Sequence, residues 1–196
     1  GIGSIGGTVT VNTNGTITGA TMTTVGTLTV GGLLFNGGTY HADLLGNTSD
    51  TISTAGTVDL QETAQGSFNF TDQGGTASAA NVFTLINNTA TSAIVQPPLS
   101  GAAEGVTVTI DGQTARYTYL GGAGSNDMTL IVDGAVTYTG TGAGEDFQLR
   151  RIDNGGNPLL QLLSGVTIGL SGGVITVSGG TVVDSRPFAG VTSYTV

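Results

Sequence analysis

The chain has 196 residues, enough for one or two domains; only 9 % are charged, and thirteen carboxylates stand against four arginines for a net charge of −9. That balance repels a phosphate backbone and an anionic bilayer surface, which argues against nucleic-acid partners and membrane insertion. Glycine occurs 35 times, cysteine and tryptophan never, and no apolar run approaches the roughly twenty residues of a membrane-spanning helix.

Helix is disfavoured throughout, because glycine recurs too often for an uninterrupted helical face. Threonine, valine, isoleucine and leucine dominate instead, and they suit a pleated surface. The fold class expected is all-β. The absence of lysine and cysteine, with Thr, Gly and Asn enriched, predicts an extracellular or cell-surface location. Gly1 at the start and a strand-like Tyr194-Thr195-Val196 at the end predict a segment of a longer polypeptide.

In chain order, Thr8-Val9-Thr10-Val11 alternates, Asn12 to Gly15 turns, and Thr16-Ile17-Thr18 and Thr27-Leu28-Thr29-Val30 alternate again. Period-2 alternation puts the aliphatic side chains on one face and the hydroxyls on the other. Val9, Val11, Ile17, Leu28, Val30, Val58 and Leu60 are therefore expected in one apolar column. Gly-Thr pairs open many strands, and Gly38, Gly56 and Gly75 predict rungs of 18 and 19 residues. Such rungs fit a β-solenoid, while the same strand spacing also fits a β-sandwich. Residues 68–132 read as a block closed by hairpins, with Asp111-Gly112 as a type I′ turn. After Asp133-Gly134 the texture changes, which predicts residues 1–132 as one unit and 133–196 as a second small β module or continuing rungs. Short strands are expected in the second part near 136–139, 147–150, 159–163, 166–170, 174–177, 181–183 and 192–196.

Gly26-Thr27-Leu28-Thr29-Val30, Gly37-Gly38-Thr39-Tyr40 and Gly56-Thr57-Val58-Asp59-Leu60 resemble the autotransporter-associated β-strand repeat. Phe83-Thr84-Leu85-Ile86-Asn87-Asn88, Glu104-Gly105-Val106, Gly112-Gln113-Thr114, Tyr117 to Tyr119 and Asn126-Asp127 follow in the order of that repeat's closing segment. The resemblance covers roughly residues 20–132. It implies a right-handed β-helix passenger of an adhesin-type bacterial surface protein, and it carries no catalytic residues. Ala115-Arg116 departs from it, since an apolar residue is more usual in that return strand.

The chemistry-bearing residues are few. His41, the single histidine, lies in a plain strand and is expected in a surface or turn role, with no G-x-S-x-G elbow to serve. Adjacent Glu145 and Asp146 point to opposite strand faces, which does not suit paired-carboxylate hydrolysis or a polysaccharide lyase. The chain is read as a non-enzyme. Gly121-Gly122-Ala123-Gly124-Ser125-Asn126-Asp127 is close to a calcium-binding nonapeptide with its aspartate one place late. Asp127, Glu145 and Asp146 are thus the candidate calcium ligands, and no other cofactor is expected. A structural shaft or passenger repeat is the leading function, with end-to-end self-association into a filament. The competing class is a carbohydrate- or host-ligand-binding module. Its aromatic candidates are Tyr117, Tyr119 and Tyr138, although Tyr117 and Tyr119, two apart on one face, also suit an internal aromatic ladder.

Overall fold

The computed structural model describes residues 2–21, 23–95, 97–122, 124–137, 147–152, 158–171, 174–187 and 191–195. All regular structure among them is strand, as the composition predicts. The first strands are β1 (Gly3–Asn12), β2 (Thr16–Ile17), β3 (Thr27–Asn36), β4 (Thr39–Leu45), β5 (Thr48–Ser49) and β6 (Thr51–Thr54). Next come β7 (Val58–Asp59), β8 (Ser67–Asp72), β9 (Val82–Asn88), β10 (Thr107–Ile110), β11 (Gln113–Gly121) and β12 (Asp127–Val132).

These strands make two sheets. The larger has the order β1-β3-β6-β9-β12-β11-β10, with β7 also on β3; the smaller joins β2, β4 and β5, with β8 on β4. Pairing between β1, β3, β6 and β9 is parallel, and so is pairing between β2, β4 and β8. Gly3 lies beside Leu28, Leu28 beside Ile52, and Ile52 beside Ile86. On the second sheet Thr16 lies beside Thr39 and Thr39 beside Ser67, and a further bridge joins Ser67 to Ser100. Neighbouring parallel strands of both sheets are thus in register at these positions.

The stacking interval corrects the expected rung. Leu33 pairs with Val58, 58 − 33 = 25 positions later, Thr39 with Ser67 after 67 − 39 = 28 and Ile52 with Ile86 after 86 − 52 = 34, where the Gly-Thr spacing predicted eighteen or nineteen. The physical reason is that Gly-Thr pairs open several strands within one pass. The β4–β5 hairpin, with Leu44 opposite Ser49 and Leu45 opposite Thr48, does not set the interval between Leu33 and Val58, because Gly3 and Leu28, with no hairpin between them, pair at the same separation. The expected closing block is corrected as well. Strands β8 and β9 continue the parallel stack, and antiparallel closure begins only with β10, β11 and β12. The Asp111-Gly112 turn forms as expected: both residues have positive φ, 48° and 76°, and Ile110 pairs with Gln113.

One core runs through the stack. Val11, Ile17, Leu28, Val30, Val58 and Leu60 are buried in it, and Val9 packs against it partly buried, so the seven expected positions share one apolar cluster. Register aligns Ile17, Tyr40 and Phe68 across three passes. The Tyr40 and Phe68 rings meet edge-on at 5.3 Å, and Phe68 meets Tyr117 at 5.7 Å. Edge-to-face pairs satisfy the ring quadrupoles and add to simple area burial. Ala115 faces this core while Arg116 points outward and grips both carboxylate oxygens of Asp133 at 3.0–3.2 Å. Alternation on β11 thus accommodates the cation that departs from the repeat pattern.

Beyond Val132 the strands belong to other sheets: β13 (Gly134–Thr137), β14 (Phe147–Ile152), β15 (Leu159–Ser171), β16 (Val174–Pro187) and β17 (Val191–Thr195). Strand β13 pairs with β17 in parallel, while β14, β15 and β16 form an antiparallel sheet. Two pairs of expected short strands are instead continuous. Gly165, Gly179 and Gly180 carry positive φ inside β15 and β16, where they bend the ladder without ending it. Leu159, Leu160, Leu162 and Leu163 are all buried, so both faces of β15 are covered there. The Gln161 amide donates to the Ser125 hydroxyl at 2.9 Å, which ties this sheet to the loop before β12.

Candidate functional site

The tyrosines proposed from sequence as a ligand platform lie inside. Tyr117 is 1 % exposed and Tyr119 2 %, because alternation turns both toward the core of the stacked passes. Burial raises both phenol pKa values; for Tyr119 the nearby Glu104 carboxylate adds to the rise and the bond from Leu99 opposes it. The Leu99 amide donates to the Tyr119 hydroxyl at 3.0 Å, and the Tyr119 amide donates to Glu104 Oε2 at 2.8 Å. Both side chains are thus core residues, as the internal alternative has it, and not members of an exposed groove. Tyr138 lies outside the described residues.

Asp127 is occupied by backbone. Its Oδ1 accepts the Asn88 amide at 2.8 Å, while Asn126 Nδ2 donates to the carbonyls of Asn88 and Ala90 at 3.0 and 2.5 Å. The pair clamps the end of β9 to the start of β12. Burial raises the Asp127 carboxyl pKa, and the Asn88 amide offsets part of that rise. This carboxylate, a candidate calcium ligand from sequence, thus has a backbone partner at Oδ1. Glu145 and Asp146 lie outside the described residues. Among the described residues no group of three or more His, Asp or Glu side chains is placed to hold a metal ion.

His41 is in neither a turn nor an open surface; it is 8 % exposed, within a polar ladder between β4 and β8. Parallel register brings Thr39 to Ser67, His41 to Asn69 and Asp43 to Thr71. The hydroxyls of Thr39 and Ser67 are 2.8 Å apart. His41 Nδ1 meets Asn69 Oδ1 at 2.5 Å, and its Nε2 lies 3.4 Å from both Asp43 Oδ1 and Thr71 Oγ1. A hydrolytic relay needs the carboxylate and the hydroxyl on opposite ring nitrogens. Here both share Nε2, so the geometry is that of a ladder.

Asp43 and Asp50 are fully buried beneath this face. Gln73 Nε2 donates to Asp43 Oδ1 at 2.8 Å, and Asp43 Oδ2 has no hydrogen-bond partner among the described residues. Asp50 is better served: Oδ1 accepts the Gly26 amide at 2.8 Å, and Oδ2 accepts the Thr18 hydroxyl at 2.6 Å and the Asp43 amide at 3.3 Å. Its carboxylate thereby joins three successive passes. Sequence reasoning missed this cluster, because Gly26 and Thr18 lie 24 and 32 residues from Asp50 and only the pairing of distant strands brings them to it. The polar alternation Thr39, His41, Asp43 against Ser67, Asn69, Thr71 was the available signal.

A concavity lies elsewhere, beside β1. A cavity of about 450 Å³ is lined by Ile5, Val9, Val11, Ile17 and Leu28 together with the polar turn between β1 and β2. Its apolar lining is continuous with the core, and β3 is the one partner strand of β1 among the described residues. Comparison with family models, with characterised proteins and with solved structures gives no match.

Proposed function

We propose that this chain is a shaft or passenger segment of an extracellular, adhesin-type bacterial surface protein, with residues 3–100 wound as coils of a right-handed parallel β-solenoid. The observation that carries the reading is the repeated parallel register on two sheets at once: Leu28, Ile52 and Ile86 on one, Thr39 and Ser67 on the other. Parallel strands joined by crossovers are right-handed in about 98 % of cases. A stack of this kind buries a narrow apolar column and presents hydroxyls outward, which gives length from few charged residues. The buried tyrosines and the backbone-bound Asp127 favour mechanical work over ligand chemistry. Resemblance to the autotransporter-associated repeat over residues 20–132 points the same way.

Two experiments test it. With no native cysteine to interfere, Thr29→Cys with Ser53→Cys places thiols at registered positions of adjacent coils. Oxidation is expected to close that disulfide in the folded chain, while Thr29→Cys with Thr57→Cys, out of register, stays reduced. The opposite result removes the coil reading. Protease treatment of intact cells bearing the native protein is expected to release its peptides; full protection alongside cytosolic markers overturns the surface assignment.

A further inference from the structure

Four residues other than glycine carry positive φ among the described residues: Asn14 at 66°, Ala80 at 62°, Asp111 at 48° and Ser125 at 53°. Asn14 and Asp111 suit the left-handed region, because a short polar side chain can bond locally, and each precedes a glycine. Ala80 and Ser125 break that pattern. Ala80 stands third in a turn closed by the Asn81 amide on the Ser78 carbonyl at 3.1 Å, a place where glycine or asparagine ordinarily supplies the positive φ. Ser125 donates its amide to the Gly122 carbonyl at 3.3 Å, immediately before the Asn126-Asp127 pair that holds Asn88 and Ala90.

These same two residues receive hydrogen bonds from one distant sheet. Arg186 Nη1, on β16, donates to the Ala80 carbonyl at 3.2 Å, and Gln161 Nε2, on β15, donates to the Ser125 hydroxyl at 2.9 Å. Gln161 is itself fixed: Arg150 Nε and Nη2 donate to its Oε1 at 3.1 and 2.9 Å, and its Nε2 also reaches the Ser185 hydroxyl at 3.3 Å. Gln161, Ser185 and Arg186 are buried, and a buried polar network with its members paired is rigid. Asn47 holds the ends of the Ala80 turn, through Ser78 and Asn81. Its centre is met by Arg186 and by Gly134, where a side chain would come within 2.7 Å of the Ala80 nitrogen. Each turn leads into a strand of the stack, and the Asn81 carbonyl accepts the Val132 amide at 2.9 Å.

We propose that the sheet of β14, β15 and β16 is a conformational brace: docked, it holds Ala80 and Ser125 in left-handed backbone, and when it opens both turns relax and loosen β9 and β12 beside them. The coincidence of the two disfavoured backbones with the two contacts from the sheet carries this inference. Left-handed alanine and serine cost free energy as long as the brace is docked, so the turns push back on it. The sheet is therefore the element that opens ahead of the parallel strands β3 and β6. The brace is independent of the shaft reading, because it concerns how β9 and β12 are held and not where the protein resides or how its coils are stacked.

Native-state hydrogen exchange on the 196-residue chain tests this with two variants. Gln161→Leu with Arg186→Met removes both contacts and keeps side-chain bulk. The amides of Asn81, Asn88 and Val132 are expected to exchange faster in it, while those of β3 and β6 keep their protection. Ala80→Gly is the second variant, and it leaves in place the carbonyl to which Arg186 donates. Glycine takes the left-handed backbone freely, so docking no longer bears that cost. Exchange along the β15–β16 ladder is then expected to slow about tenfold. A purely local gain at the turn would leave that ladder unchanged, so the glycine variant decides the question even where the first variant does not fold. Unchanged exchange at Asn81, Asn88 and Val132 in a folded Gln161→Leu, Arg186→Met chain overturns the brace. So does a β15–β16 ladder that Ala80→Gly leaves unaltered. The registered disulfide reports separately on the coils.

Discussion

The amide of Leu99 donates to the hydroxyl of Tyr119 at 3.0 Å, and both groups are buried. This bond fixes the loop around Pro97 and Pro98 against β11. Tyr119→Phe keeps the ring and removes the acceptor, which leaves the Leu99 amide unsatisfied in the core. Such a loss costs about 1–3 kcal/mol. Urea unfolding is expected to show that loss with an unchanged denaturant slope, since the exposed surface stays the same.

Much of this arrangement was legible from the sequence, for reasons tied to particular residues. The alternation around Val9, Val11, Leu28 and Val30 assigns the apolar face because side-chain period in a strand is two, whatever the strand pairs with. Asp111-Gly112 marks its turn because positive φ at two consecutive residues favours few residue types. The interval between paired strands was not legible: Gly-Thr pairs recur more than once between partner positions, so their spacing is shorter than the interval that pairing sets. The Asp50 cluster followed from that same interval and was hidden with it. Tyr117 and Tyr119 were ambiguous because a same-face pair looks alike on an outer groove or an inner column; only the stacked passes covering β11 decide it.

Burial raises the phenol pKa values of Tyr40, Tyr117 and Tyr119. For a group raised in the folded state, the contribution to stability is complete below the unfolded pKa and is lost as pH rises through the folded one. Unfolded tyrosine titrates near 10, so stability is expected to fall as pH passes about 10. Absorbance of tyrosinate during alkaline titration checks this: three phenols should ionise only together with loss of the circular dichroism signal. Smooth ionisation of all five tyrosines while the fold persists would contradict the burial.

Asp127 gives a pH dependence at the acid end. Burial raises its carboxyl above 3.8 despite the Asn88 amide, so ionisation costs stability in the folded chain. The neutral form is fully favoured below pH 3.8, and that advantage disappears as pH rises through the folded value. Asp127→Asn keeps an oxygen for the Asn88 amide and cannot ionise. The variant is expected to be more stable than the parent at pH 7, with the difference shrinking toward zero as pH falls below 3.8. Thermal melts at a series of pH values measure it. Added calcium is expected to leave the melts of both proteins in step, because this carboxylate already has its partner; a parent-only stabilisation would restore Asp127 as a ligand.

Asp50 offers the sharpest test of how the passes are joined. Its carboxylate accepts from the Gly26 amide, the Thr18 hydroxyl and the Asp43 amide, and its carbonyl oxygen accepts the Tyr40 hydroxyl at 3.1 Å. Asp50→Ala preserves the carbonyl contact and strips the carboxylate, so the amides of Gly26 and Asp43 lose their acceptor together. At roughly 1–3 kcal/mol for each buried unsatisfied donor, the loss is expected to reach several kcal/mol. Asp50→Asn should cost less: its remaining oxygen still serves Gly26, and the Thr18 hydroxyl can rotate to accept from the new amide. The Asp43 amide is then the one donor without a match. The expected order of stability is therefore wild type, Asn, Ala, read from urea midpoints. Hydrogen exchange adds a local readout, since the amides of Gly26 and Asp43 should lose protection in the alanine variant ahead of the β11–β12 ladder. Equal losses for Asn and Ala would mean that the negative charge itself holds the passes together.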